Sequence, residues 1–458
     1  MKNHRKVLFG LVTASVLALA GTVRADPPGE GGDIWDKITP GAQIRARYEF
    51  RGNYDFDRLS PPKDDNDNFA LLRTRLHLTA KPDDGVTLFL QFQDSREFGS
   101  SLLTGSPYGP GNVPRGVSAD DEGTTLHQAW ARLDVSGVEG LSVQFGRQEF
   151  VLGEHRLVGT LDWSNRARSF DGFVVAYEKD KFRADAFGFL VSRGDPAGLI
   201  TPASAAENGY FTGINGRIKD ENFGIAEAYY LNYLDRDAGA LRAAPPSFPG
   251  DNDLVLHTIG AHLLRAAKRG ELDWSLEGAY QWGEDGYLRH RAGAFHVAFG
   301  FTADTDIEPR LEFEYNFASG DKNAADNRSR AFRNLFPTNH NKYGLIDFMQ
   351  WSNLHELNPE LSVKVSGVTL AAAYHEFLAV KEEGAIGVGP AALTPLAGRT
   401  SRQFGRELDL TATAKPYKPV GVLVGYSMFN PGKMFRQSFP VIKTHCAHFL
   451  YLQATVTL

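Results

Sequence analysis

The chain has 458 residues, with 49 Lys and Arg against 55 Asp and Glu and a net charge of −6, which excludes a generally basic nucleic-acid binder. Its 47 glycines, 31 phenylalanines and 16 tyrosines beside four methionines favour strands and turns over helices. Cys446, the one cysteine, excludes an internal disulfide, and no C-x-x-C spacing points to zinc or redox work.

Taken from the N-terminus, Lys2, His4, Arg5 and Lys6 form a basic start, Val7 to Ala20 an apolar run of 14 residues, and Val23-Arg24-Ala25 a small-x-small cleavage pattern. The run is shorter than the ~20 residues a spanning helix needs, so a signal peptide is expected, not an anchor. Residues 1–25 are expected to be that peptide, 26–40 a periplasmic N-terminal segment and 41–458 one transmembrane β-barrel. Cleavage removes four basic and no acidic residues, leaving 45 against 55. No later apolar stretch reaches 18 residues, which excludes a helical membrane protein but not a barrel, whose signal is alternation.

Alternation begins at once. Ala42, Ile44, Ala46, Tyr48 and Phe50 share one face, and Gln43, Arg45, Arg47, Glu49 and Arg51 the other. Next, Ala70, Leu72, Leu76 and Leu78 oppose Arg73, Arg75, His77 and Lys81. Leu272, Trp274, Leu276 and Tyr280 oppose Asp273, Ser275, Glu277 and Gln281; Leu311, Phe313, Tyr315 and Phe317 oppose Arg310, Glu312, Glu314 and Asn316. A last segment runs from His448 to Leu458.

The connections alternate in length. Eight short turns are expected at Pro82–Gly85, Ser136–Gly140, Asp180, Lys219–Asn222, Ala267–Gly270, Ala303–Pro309, Lys364–Gly367 and Pro416–Pro419. Nine longer ones fall near 52–68, 98–123, 150–170, 194–209, 236–253, 284–288, 320–349, 381–404 and 431–446. Nine hairpins joined by eight turns make an all-β fold: one antiparallel barrel of 18 strands with short periplasmic turns and long extracellular loops. The count drops to 16 if Asn353 to Val363, which carries Pro359, is not a strand. A soluble β-sandwich also alternates. The loop asymmetry argues against it, as do Tyr48, Phe50, Phe92, Phe145, Trp274, Tyr280 and Trp282 on apolar faces, several near strand ends where membrane girdles lie.

An arginine facing mid-bilayer lipid costs roughly 2–4 kcal/mol, so Arg45, Arg47, Arg73 and Arg75 are expected to face the lumen, with Arg132, Arg183 and Arg310 in the same register. A barrel this wide leaves an aqueous channel unless loops plug it.

Further motifs carry a resemblance. Phe145-Gly146-Arg147-Gln148, then Gly153-Glu154-His155-Arg156-Leu157-Val158-Gly159, Trp163 and Phe170-Asp171-Gly172 are followed by Ala318-Ser319-Gly320-Asp321 and Leu335-Phe336-Pro337-Thr338-Asn339-His340 with Lys342-Tyr343-Gly344. Glu407-Leu408-Asp409-Leu410, Gly425-Tyr426 and Pro431-Gly432 complete the set. In this order, across nearly the whole mature chain, the sequence resembles the alginate export family of outer-membrane barrels. That resemblance implies 18 strands and passage of the polyuronate alginate through an arginine-lined constriction, although the family extends beyond alginate producers. Its motifs add Arg147, Arg156, Arg166 and Arg168 to the expected pathway. The chain departs from the usual pattern of outer-membrane barrels by ending in Leu458, where many end in an aromatic residue.

A polyuronate carries one carboxylate per sugar, and the planar fork of arginine binds carboxylates in bidentate fashion. Fixed positive charge at a narrow point would act despite the negative total, because low-dielectric walls focus the field. The alternative is that these arginines pair with acids across neighbouring strands; Asp134, Glu149, Asp162, Asp171, Asp185, Glu312 and Glu314 are the partners in reach, and Asp162 and Asp171 are placed in the pathway with the arginines. Mixed walls would suit conduction, which needs weak binding at several positions. Gly320 to Met349 and Gly384 to Gln403 fold inward as plugs or shield the outside.

Asp64-Asp65-Asn66-Asp67-Asn68 has a calcium-loop flavour, but Phe69 stands where that loop needs glycine, which favours a solvated loop. Asn339-His340 lacks metal-ligand spacing. No G-x-S-x-G, Walker A or Rossmann fingerprint occurs, so no enzyme and no cofactor are expected, a dispersed Ser/His/Asp hydrolase being the one enzymatic alternative. The reading is an outer-membrane channel for an anionic, alginate-type polysaccharide; the alternatives are a porin for small organic anions or other solutes, and an adhesion barrel with a plugged lumen. Outer-membrane lipid and lipopolysaccharide, the transported anion and periplasmic export partners are the expected company of a monomer, with no nucleic acid and no metal.

Overall fold

Successive side chains of a strand point to opposite sides, so segments with one apolar and one charged face need two different environments. A computed structural model describes residues 34–53, 66–99, 123–191, 209–236, 253–323, 326–387, 400–438 and 446–458. The expected signal peptide and Asp64-Asp65 of the acidic loop lie outside the described residues, as do 388–399 of the expected plug at Gly384 to Gln403.

The described residues form a closed antiparallel barrel of 18 strands. In chain order these are β1 (Ile38–Gly52), β2 (Asp67–Ala80), β3 (Val86–Phe98), β4 (Gly123–Asp134), β5 (Leu141–Gln148) and β6 (Phe170–Lys179). Then come β7 (Phe182–Val191), β8 (Gly209–Asp220), β9 (Gly224–Asp235), β10 (Leu254–Arg265), β11 (Leu272–Asp285) and β12 (Leu288–Thr302). The ring is completed by β13 (Arg310–Ala318), β14 (Leu354–Val365), β15 (Val368–Ala379), β16 (Gln403–Tyr417), β17 (Val420–Pro431) and β18 (Ala447–Thr457). Each strand pairs with the next, and β1 closes on β18 from Gln43↔Thr457 to Gly52↔His448, so the wall has no open edge.

Pro359 does not end β14. It stands opposite Phe313 of β13, while the ladder to β15 skips from Leu357↔Glu376 to Glu360↔Ala373 without changing register. The missing N–H removes local pairing on one side and the strand continues, which fixes the count at 18 and not 16.

All eight short turns lie at one end, the periplasmic one. Ser366–Gly367, one of three two-residue turns there, has φ of 49° and 80°, the double left-handed geometry that suits such a hairpin. At the other end the expected connection 284–288 shrinks to Gly286 and Tyr287, because β11 and β12 stay paired up to Asp285↔Leu288. This tall stretch of wall carries Arg328–Ser329, a two-residue strand parallel to Arg289–His290.

The outer face is apolar: Leu76, Ile214, Phe299, Phe313 and Leu361 are each more than half exposed. In water such a surface would be costly, and a bilayer is the environment that stabilises it. Near its external ends it carries three tyrosine–histidine pairs, Tyr230–His257, Tyr315–His355 and Tyr426–His448, with Oη to Nδ1 distances of 2.8, 2.7 and 2.9 Å. Amphipathic rings of this kind suit the membrane boundary.

The inner face is not uniformly polar. Phe170, Phe187, Phe189 and Phe211 on β6–β8 point inward, and two long segments, 149–169 and 319–353, fold over them. Leu152, Leu157, Val158, Phe332, Phe336, Phe348 and Trp351 complete this core, so the main apolar packing of the molecule lies inside the barrel, between loop and wall.

Candidate functional site

Segments that cross a barrel interior carry main-chain amides and carbonyls that need partners there. The two inward segments first satisfy each other. Phe336 N–H donates to Leu157 O at 2.8 Å, Gly159 N–H to Phe336 O at 2.8 Å, and Thr338 N–H to His155 O at 2.9 Å. Arg168 clamps this seam, donating from Nη1 to the carbonyls of Gly159 (2.9 Å), Pro337 (3.1 Å) and Phe336. Trp163 stacks on His340 at 3.6 Å and 8°, and the Arg47 guanidinium lies 3.8 Å from the Trp163 ring.

The wall β1–β3 then takes up loop carbonyls with donors. Its register sets Arg45 opposite Arg73 and Gln43 opposite Arg75, about half-way up the barrel. Arg45 donates to Ser164 O (3.0 Å) and to Asp162 O, Arg73 to Asp162 O (3.1 Å) and Arg47 to Trp163 O (2.7 Å). Gln93 and Ser95 hold the carbonyls of Arg166 (2.6 Å) and Asn165 (2.8 Å). Arg47 also pairs with Glu49 at 2.7 Å.

At the centre of this wall stands Asp162. Its Oδ1 is 2.9 Å from Arg73 Nη1 and 3.2 Å from Arg75 Nη1, and its Oδ2 is 3.8 Å from Arg45 Nη1. The arginine side chains are at most 8% exposed, whereas the Asp162 side chain is 53% exposed. Desolvation of the carboxyl inside the barrel opposes its ionisation, but Arg73, Arg75 and Arg45 outweigh that and hold it at about 2. Arg75 also meets Glu149 at 3.5 Å, and Glu149 in turn bonds His127.

From β9 round to β16 the chemistry reverses. The near end of segment 149–169 meets acceptors and histidines: Gly153 N–H donates to Glu227 at 3.0 Å, and Glu154 accepts from Ser275. Arg156 donates to Glu314 at 2.8 Å and to Asn316 at 3.4 Å, beside His296 at 3.2 Å. Glu154, desolvated there, is nonetheless held below the usual carboxylate range by His262, Lys342 and Arg156. Further round, Leu345 N–H and Ile346 N–H donate to Asp409 (3.1 Å) and Glu407 (2.9 Å), and His375 bridges Glu356 and Asp409 at 2.6 and 3.2 Å.

Of the residues singled out from sequence, Arg45, Arg47, Arg73, Arg75, Asp162 and Arg166 come together on the β1–β3 side, Arg168 sits at the loop seam and Arg156 on the far wall. Arg132, Arg183 and Arg310 lie lower, each beside acids: Asp134 at 3.2 Å, Asp185 at 2.7 Å with Glu178 at 2.8 Å, and Asp273 at 2.6 Å with Glu312. Arg147 and Asp171 do not join the set. They pair with each other at 2.7 Å in register with the outward-facing Phe145↔Phe173 pair, which places them on the outer surface near the external rim. Glu227, His262, His296, Glu356 and His375 carry no motif of their own in the sequence, and Glu407 and Asp409 stand only in a family motif with no role attached. Their signal was the polar phase of alternating strands, where acids and histidines stand as regularly as the arginines do. Among the described residues no group of three His, Cys, Asp or Glu is placed to hold a metal ion.

A family model described as alginate export matches residues 36–446. No curated protein matches the sequence. Solved structures do match its fold. OccK5 (OpdH) of Pseudomonas aeruginosa is 12% identical with a TM-score of 0.57, over 92% of this chain and 98% of that one. OccAB2 of Acinetobacter baumannii is 12% identical with a TM-score of 0.59, over 93% and 99%. OccK2 (OpdF) of Pseudomonas aeruginosa, solved in complex with glucuronate, is 12% identical with a TM-score of 0.55, over 92% and 96%.

Proposed function

From the premise that this chain belongs to the alginate export family, as an outer-membrane transport barrel and not an enzyme, we propose that it passes uronate anions between the Arg45–Arg73–Arg75 cluster and the acidic far wall. The carrying observation is that three buried guanidinium groups converge at mid-height on a single half-exposed carboxylate. Such a cluster keeps a positive local field inside a net negative protein, and a field focused by low-dielectric walls selects the sign of what enters. Residues 1–25 serve here as the export signal, and the barrel starts with β1 at Ile38, three residues before the expected 41.

A polyuronate strand is the first cargo, by family. Small sugar acids are the second, favoured by the two loops that cross the interior and by the glucuronate complex of OccK2, a protein of the same fold. Chain length separates them. The refolded mature protein in a planar bilayer should prefer anions, and glucuronate should interrupt its chloride current. Uronate oligomers should interrupt it at lower concentration as they lengthen if polymer is the cargo, and lose that ability beyond one or two sugars if small acids are. Arg73→Gln with Arg75→Gln should reduce the anion preference by roughly tenfold, equivalent to ~1.4 kcal/mol. An unchanged preference in that variant would refute the role of the cluster.

A further inference from the structure

The carboxylate at the centre of the arginine cluster belongs to a loop and not to the wall. We infer that Asp162 is a specificity-determining residue: its side chain is a tethered counter-ion occupying the anion subsite of Arg45, Arg73 and Arg75, and the carboxylate of a permeating solute must displace it. This inference rests on the anion-channel reading above and deepens it.

Three observations carry it. A solute approaching from the interior meets Asp162 first, since its side chain is half exposed while the three arginines lie buried behind it. The contacts are also lopsided. Arg73 and Arg75 meet Oδ1 at 2.9 and 3.2 Å, Arg45 stands 3.8 Å from Oδ2, and the buried Nε atoms of Arg45 and Arg73 find no hydrogen-bond partner among the described residues. No guanidinium therefore makes the bidentate fork with Asp162 that a strong arginine–carboxylate pair adopts, and a free carboxylate that achieves it competes well.

Finally, the loop does not depend on that side chain for its seat. The main-chain oxygens of Asp162, Trp163 and Ser164 are held separately by Arg45, Arg47 and Arg73. Leu161 and Ala167, at φ of 51° and 58°, hold left-handed backbone on either side. Rotation of one side chain about χ1 thus opens the subsite while the backbone stays put. Exchanging one carboxylate for another leaves the arginines ionised and paired throughout. That keeps each residence short, as conduction through successive weak sites requires.

The test compares the refolded mature chain with Asp162→Ala and Asp162→Asn in planar bilayers, with sodium glucuronate and sodium formate as probes. Glucuronate should interrupt the chloride current of Asp162→Ala at roughly tenfold lower concentration than in the unsubstituted chain. Formate, small enough to occupy the vacated place, should reduce that current in Asp162→Ala and leave the unsubstituted chain unaffected. Asp162→Asn, which removes the charge and keeps the volume, should fall between. Unchanged or weaker glucuronate block in both variants overturns the inference. So does a severalfold rise in conductance with loss of anion preference, which would make Asp162 an anchor of the loop. Lack of anion preference and of glucuronate block in the unsubstituted chain removes the channel reading and this inference together, whereas failure confined to the variants removes this inference alone.

Discussion

The two walls that grip the inward loops do so with opposite chemistry. On β1–β3, arginine, glutamine and serine donors hold main-chain oxygens; on β9 and β16, carboxylates hold main-chain nitrogens. The consequence for charge differs. A guanidinium that spends donors on carbonyls remains a cation, because a carbonyl carries no charge to cancel it. Basic charge therefore accumulates on β1–β3, relieved mainly by Glu49, Glu149 and the exposed Asp162. The acidic wall is closed by contrast: Arg156, His262, His296 and His375 are buried among its carboxylates. One wall thus combines loop seating with an open ionic surface, and the other serves mainly to seat the loops.

Arg156→Ala should cost the fold most. The pair it forms with Glu314 is buried on both sides, at 2% and 10% side-chain exposure. Removing one member of a buried pair strands the other, which costs on the order of 3–5 kcal/mol. Urea unfolding in lipid vesicles should register that loss while anion preference persists. Asp409→Ala comes next, because Leu345 N–H loses its acceptor and His375 one of its two carboxylates. The expected loss is about 1–3 kcal/mol, accompanied by noisier open-channel current as segment 319–353 loosens.

A smaller effect belongs to the titration of Asp162 on the basic wall. Asp162 has its folded-state pKa depressed to about 2, so whatever its ionised form contributes is fully present above the unfolded value of roughly 4 and is lost as pH falls through about 2. The difference in anion preference between the unsubstituted chain and Asp162→Asn should then be constant from pH 7 to 4 and halve only near pH 2. A difference that already closes near pH 5 would mean that another group sets the field. Because the side chain is 53% exposed, interior water screens it, and its weight in stability is far smaller than its weight in selectivity. The smallest effect belongs to the outer rim. Asp171→Asn removes a half-exposed partner from Arg147, so it should change stability by less than about 1 kcal/mol and leave ion selectivity untouched.

Much of the wall was legible in the sequence, because strand alternation is a local property and the bilayer penalises any error of phase. Alternation turns Arg45, Arg47, Arg73 and Arg75 to the inner side of the wall, the side on which they meet segment 149–169. Applied consistently it also places Arg147 outward, two residues beyond Phe145 on the apolar face; a motif match, which says nothing about which way a side chain points, put Arg147 and Asp171 in the pathway instead. Alternation fails where both faces are apolar. Phe187 and Phe189 point inward on β7, between Ala186, Gly188 and Leu190 on the outer phase, and only the loops packed on them explain why.

Strand periodicity, the alternation of short and long connections and the sidedness of the wall arginines are written into the chain locally, since each depends on residues within one strand or one hairpin. Only the tertiary structure decided that segments 149–169 and 319–353 zip together inside the barrel. It alone brought Asp162 under Arg73, 89 residues away in the chain, and set the acidic wall of β9 to β16 across the interior from the basic one. The physical reason is closure: a ring of 18 strands fixes which distant side chains share one height of the interior, and the loops settle where their buried amides and carbonyls find charge of the right sign.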